Sequence, residues 1–334
     1  MKRLLMLIVL GFTGITPTNA QAEPLTVVTT TSLIADVARN VGGDLVSVTA
    51  LVPPDTDIHA FQPAPQDVAL VAQADVVLVN GAGLEAFLAG IVENAAGVEP
   101  LVVSNGIEVL AFGGHGHDHD EDEDEDHAED KYIGVLGEDA TCEAGEHEED
   151  EDEHAHGNCD PHFWTNPQNV MVWAENIAEA FAFIDRAYAD TYRANAAAYI
   201  EQLAALDADI ETLLAEIPEA NRVIVTNHEF LGYFAERYGF EIVGVVNPGG
   251  TTLAEPAPQD VAQLIEVIER EGVRAIFVEV SDAGRLAQVI AGDADDVQVV
   301  TLYSDSLSSA DGPAATYLDY MRHNAGAIAA ALGR

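Results

Sequence analysis

The chain has 334 residues, of which 58 are acidic and 13 basic, for a formal net charge of −45. That balance excludes nucleic acid as a natural partner and favours cations. The charge is uneven, with 20 acidic residues and a single base, Lys131, between His115 and His156.

The first element is a leader. Lys2 and Arg3 precede the apolar run Leu4–Phe12, and small residues follow as far as Ala20-Gln21-Ala22. A charged start, a short hydrophobic run and an A-x-A site read as a secretory signal peptide over residues 1–22. The run is too short to span a bilayer as a helix. No cysteine follows the cleavage site, so a lipid anchor is not indicated. The expected product is an exported, periplasmic chain of about 310 residues, long enough for two domains. In an oxidising compartment Cys142 and Cys159, the only cysteines, are expected to form a disulfide; a thiolate metal site is the alternative.

Next come two stretches in which β-rich runs alternate with helical patterns. Strands are expected at Leu25–Thr30, Leu45–Val52, Asp75–Asn80 and Leu101–Val103, with helices near Ser32–Val41, Gln66–Gln73 and Leu84–Ala95. The second stretch has strands at Arg222–Thr226, Glu241–Val246, Arg274–Val280 and Val297–Leu302. Its helices fall near Glu229–Tyr238, Gln259–Glu271, Gly284–Ala291 and Ala314–Leu332. Such alternation predicts an α/β fold of two mostly parallel sheets flanked by helices. The heptapeptide Pro63-Ala64-Pro65-Gln66-Asp67-Val68-Ala69 recurs letter for letter as Pro256–Ala262, which points to two similar lobes.

The expected lobes are residues 23–165 and 219–334, joined by connecting helices over 166–218. Asn166-Pro167 reads as a helix cap and first turn. Beyond Asp185, Tyr199, Leu203, Leu206, Ile210, Leu213 and Ile217 step by three and four up to Pro218. A rigid helix of about 30 residues, about 45 Å long, is expected there. Residues 113–157 break the pattern with His, Asp and Glu, and read as a mobile acidic insertion.

Seven of the eleven histidines lie in that insertion: His115, His117, His119, His127, His147, His154 and His156. Without fixed geometry they are expected to collect metal weakly. Three others share a context. His59 follows the second strand, His162 precedes the connector, and His228 follows the first strand of the second lobe and opens the next helix. In open α/β sheets the carboxyl ends of strands form the ligand crevice, so three imidazoles could converge there. Neutral imidazole suits Zn²⁺, Cu²⁺ and Ni²⁺. Asp305, after the last strand, is a candidate fourth ligand, and equally a turn cap. Glu279 is a lesser candidate, and His323, inside a helix, reads as non-ligating.

Asp57-Ile58-His59-Ala60-Phe61-Gln62-Pro63, Asp160-Pro161-His162-Phe163-Trp164, Asn227-His228-Glu229-Phe230-Leu231-Gly232-Tyr233-Phe234 and Asp305-Ser306-Leu307 together resemble the ligand motifs of the metal-binding proteins of ABC importers (the cluster A-I, or cluster 9, family), in particular the zinc-uptake, ZnuA-type branch. The resemblance implies two lobes joined by a long rigid helix, with metal in the cleft between them. It implies His59, His162, His228 and Asp305 as ligands, and Zn²⁺ as cargo, since manganese members typically carry Glu where His228 stands. Ile58 departs from it, because some zinc members have a potential Glu ligand there. The cysteines lie in the insertion, so a disulfide found in the C-terminal lobe of some relatives cannot form.

The expected activity is capture of Zn²⁺ and delivery to the membrane permease of an ABC importer, by a monomer, with a periplasmic zinc chaperone as a further candidate partner. Affinity is expected to fall below about pH 6.5, as imidazole protonates. The nearest rival is a manganese or iron carrier of the same family. A zinc-dependent hydrolase is the rival from another class; no H-E-x-x-H or other catalytic signature accompanies the histidines, so the chain does not read as an enzyme.

Overall fold

The computed structural model describes residues 23–85, 99–111, 159–247, 252, 256–280, 284–294 and 296–333. The expected leader, most of the helix expected near Leu84–Ala95, the seven insertion histidines and Cys142 lie outside these residues. Among those described, no helix is long and apolar enough to cross a membrane.

All eight expected strands form. The first sheet comprises β1 (Leu25–Thr29), β2 (Val46–Ala50), β3 (Val76–Val79) and β4 (Leu101–Val102), in the order β2-β1-β3-β4. The second comprises β5 (Val223–Thr226), β6 (Glu241–Val245), β7 (Ala275–Glu279) and β8 (Gln298–Leu302), in the order β6-β5-β7-β8. Every pairing is parallel, so the two lobes repeat one topology. Successive side chains of a strand point to opposite faces. In β7, Ala275 and Phe277 join one cluster of buried side chains, while Ile276 and Val278 join another. In β3, Val76 and Leu78 separate from Val77 and Val79 in the same way. Both faces are thus covered, which is why these strands are continuous apolar runs.

The repeated heptapeptide does the same work in each lobe. It opens α2 (Pro65–Val71) and α6 (Pro258–Glu271) with proline in the first turn. The Asp67 carboxylate accepts the Ala64 N–H at 2.7 Å, and Asp260 accepts that of Ala257 at 3.0 Å. Each satisfies a backbone donor at the helix start that would otherwise lack a partner.

The connector is two helices. α3 (Pro167–Ile184) starts where Asn166 caps the Gln168 N–H. α4 (Ala189–Leu214) has 26 residues, about 39 Å at 1.5 Å per residue. It is shorter than expected because a 3₁₀ turn, Arg186–Tyr188, precedes it and it ends four residues before Pro218, which disfavours helix at its predecessor. Tyr192, Tyr199, Leu203, Leu206, Ile210 and Leu214 form its buried stripe. That stripe belongs to one apolar cluster shared by both lobes, running from Val27 and Ile34 to Tyr317 and Ile328. The remaining helices are α1 (Ser32–Gly42), α5 (Gly232–Tyr238), α7 (Arg285–Asp293) and α8 (Tyr317–Leu332).

α5 starts later than the sequence suggests, at Gly232, and His228 lies in the loop before it. The Phe230 N–H turns back to the His228 carbonyl at 3.0 Å, which keeps residues 228–231 out of the helix.

Candidate metal centre

Four segments converge where strands end. His59 comes from the loop after β2 and His162 from the turn before α3. His228 follows β5 and Asp305 follows β8. One potential ligand atom from each of these four residues can be chosen so that all lie within 4.8 Å of one another. His59 Nε2 is 3.7 Å from Asp305 Oδ2, and His162 Nε2 is 3.6 Å from Asp305 Oδ1. The Nε2 atoms of His162 and His228 are 3.2 Å apart. A tetrahedron with bonds of about 2.0–2.1 Å has edges of about 3.3 Å, so the four groups stand close to the positions that a small cation needs.

Their environment is dry. The four side chains are at most 2% exposed. Among the described residues, no donor lies within hydrogen-bond distance of either Asp305 carboxylate oxygen. Burial pushes the Asp305 carboxyl well above its usual range, offset in part by the charge of His228. A buried carboxylate without donors is costly, and a cation among three imidazoles would remove that cost. The donor set fits a divalent metal.

Two of the three imidazoles are held from behind by carboxylates. His228 Nδ1 faces Glu279 Oε1, and Glu279 also accepts from Asn227 Nδ2 and Ser304 Oγ. Burial tends to lower the pKa of His228, but the charge and hydrogen bond of Glu279, together with the charges of Asp305 and Asp57, outweigh it and raise it to about 9. Burial tends to raise that of Glu279, and His228 draws it down to about 2. His162 Nδ1 meets Asp160 Oδ1 at 2.7 Å, and the same oxygen accepts the His162 N–H. Burial pushes Asp160 up to about 7 against that bond. For His59 it is the backbone N–H that donates to Asp57 Oδ1, and Asp57 Oδ2 accepts from the Thr252 hydroxyl. In His162 and His228 a carboxylate on the far nitrogen fixes ring orientation and tautomer, leaving Nε2 aimed at the metal position.

Aromatic rings close the walls. Trp164 stands edge-on to His162 at 5.2 Å and Phe230 stacks on His228 at 5.1 Å. The Trp164 indole N–H donates to the Ser304 carbonyl, beside Asp305. Phe61 and Tyr303 are half-buried and pack against the shared core. Ile58 is fully enclosed in that core and supplies packing at the place of the absent Glu. His323 lies in α8 with its ring against Tyr303, outside the four-residue group. Glu279 lies behind His228 and supports it.

The profile of the ZnuA family, described as zinc-uptake complex component A periplasmic, matches residues 27–331. The chain belongs to this family. It is 29% identical over 313 residues to the iron-binding protein YfeA of Yersinia pestis, covering 94% of this chain and 88% of YfeA. It is also 29% identical over 309 residues to the manganese-binding lipoprotein MntA of Halalkalibacterium halodurans, covering 92% and 89%. The periplasmic zinc binding protein TroA of Treponema pallidum superposes with a TM-score of 0.74 at 25% identity, covering 93% of this chain and all of TroA.

As a ZnuA-family member the chain is the metal-binding, substrate-binding component of an ABC importer, and not an enzyme. The hydrolase reading is therefore set aside. Within this family member, four supporting residues escape sequence reasoning: Phe230, Ser304, Thr252 and Gly232. Only Gly232 leaves a trace, as a glycine within the helix expected near Glu229–Tyr238. A Cβ there would lie 2.2 Å from Asp160 Oδ2, so the residue is bare because the carboxylate occupies that space.

Proposed function

We propose that the chain captures Zn²⁺ through His59, His162, His228 and Asp305, and delivers it as an exported monomer to the permease of an ABC importer. The observation that carries this reading is three buried imidazoles around a buried carboxylate with no donor among the described residues within hydrogen-bond distance. A centre of three nitrogens and one oxygen suits zinc, whereas manganese prefers harder oxygen sets. The names of YfeA and MntA favour iron or manganese as a second reading.

Residues 1–22 act as the leader in this proposal, and the lobes divide at 23–165 and 219–334 around the 166–218 connector. Cys142 and Cys159 form a disulfide at the root of the insertion, whose histidines collect metal weakly for the centre. A periplasmic chaperone is a candidate donor. The test is a competitive zinc titration of metal-stripped protein with manganese in excess, repeated on His228→Ala. One tight zinc site that resists manganese and collapses in the variant is expected. Equal filling by manganese would transfer the assignment to the second reading, and indifference to the substitution would remove these ligands.

A further inference from the structure

Four residues before His59, the chain grips the loop that carries Asp305. Asp55 has a left-handed backbone, φ 57°, which Asp and Asn adopt more readily than most residues with side chains. Its N–H donates to the Leu307 carbonyl at 2.9 Å. Its Oδ2 accepts the Ser309 N–H, also at 2.9 Å. One residue thus holds both ends of segment 307–309, which starts two residues after Asp305. Asp55 also lines, with Thr56, Tyr303 and Ser306, the crevice that reaches Asp305.

The ties of the Asp305 loop to other parts of the chain are enclosed. Trp164 donates to the Ser304 carbonyl and the Leu307 N–H donates to Ser32 Oγ, both in buried surroundings. The bond from Ser309 to Asp55 is exposed, so water competes for it and it is the easiest of the three to open. His162 and His228 are anchored through Asp160 and Glu279. The clamp between the first ligand loop and the Asp305 loop therefore lies at the surface, while the ties of the Asp305 loop to Trp164 and Ser32 lie in the interior.

We propose that Asp55 is a positioning residue that sets how long the metal stays, by clamping the His59 loop to the Asp305 loop beside the crevice. This rests on the ligand assignment above. Opening the clamp lets His59 and Asp305 draw apart while His162 and His228 keep their places, so release begins at the crevice with one imidazole and one carboxylate. Asp55 itself is outside the four-residue group.

The test measures zinc association, and dissociation into excess chelator, for the wild type, Asp55→Ala and Asp55→Asn. Asp55→Ala is expected to speed dissociation about three- to tenfold, the range for loss of one hydrogen bond. Association is expected to change less than about twofold, since related complexes differ mostly in their off-rates. Asp55→Asn keeps an oxygen acceptor and tolerance of the left-handed backbone, so its dissociation rate should stay near wild type. An unchanged dissociation rate in Asp55→Ala overturns the proposal. So does an Asp55→Asn variant as fast as Asp55→Ala, because charge would then carry the effect, and so does slowed association with unchanged dissociation. Absence of a tight zinc site in the wild type would instead remove the ligand assignment, a result the His228→Ala control distinguishes.

Discussion

The imidazole of His228 and the carboxylate of Glu279 face each other fully enclosed, Nδ1 to Oε1, with no exposed surface on either side chain. Asn227 and Ser304 complete the shell of the carboxylate. The pair sets which nitrogen of His228 points at the metal. Glu279→Gln keeps the shape and removes the charge. Metal affinity is expected to fall about 10- to 100-fold, the usual cost of losing such a support, as read by competition against a chelator of known strength. Unchanged affinity would mean that the carboxylate serves folding alone.

Metal capture should expel protons. Without metal, Glu279 holds His228 protonated up to about pH 9, and burial keeps the Asp305 carboxyl protonated well above its usual range. The cation needs both groups deprotonated. Lower pH therefore weakens binding, and affinity should climb as pH rises through 7 towards 9, above the window near 6.5 that an isolated imidazole implies. Calorimetry in buffers of differing ionisation enthalpy should show net proton release on metal binding at pH 7. Release of none would contradict this electrostatic account.

Gly232→Ala tests the packing behind His162. The added methyl would overlap Asp160 Oδ2 and push the carboxylate off His162 Nδ1. Metal affinity should drop about tenfold, and the metal-free protein should lose about 1–3 kcal/mol through overpacking. Melting and titration of one preparation separate the two effects. Full affinity in the variant would show that Asp160 can yield without moving His162.

Asp207 provides a contrasting case, remote from the metal. It is buried in α4 and accepts from Arg237 through two nitrogens, from Tyr238 and from Gln168. Asp207→Ala leaves a partly buried guanidinium without its main partner. A loss of about 3–5 kcal/mol in urea unfolding is expected, with zinc affinity of the folded fraction intact. A fall in affinity alongside would mean that the connector tunes the site.

Deleting residues 115–156 should leave one tight site and reduce total zinc uptake. If the tight site disappeared, the division between collector and centre would not hold.

The strands were legible because both faces of each sheet are apolar, so runs such as Ala275–Glu279 stand out without any knowledge of their neighbours. His59, His162, His228 and Asp305 could be singled out because strand ends form a crevice in this class of fold, and for Asp305 the resemblance favoured a ligand over a turn cap. The supports were less visible. Asp55 and Ser309 are 254 residues apart, and Trp164 and Ser304 are 140 apart; nothing local to any of them signals the contact. Gly232 reads as one more residue of the expected helix until Asp160 is placed against it. The start of α5 was misjudged for a related reason, since the apolar period continues through residues that the His228 turn withholds from the helix.

The apolar cluster shared by both lobes has a consequence for the lifetime of the carrier. Because one interior serves both halves, neither lobe can open fully without uncovering the other. Cargo that binds only the folded form therefore protects the entire chain, by about 2.7 kcal/mol when free metal stands at a hundred times the dissociation constant. Proteases that act on transiently opened molecules would clear empty carriers faster than loaded ones. The pool of carriers would then be weighted towards those already holding metal.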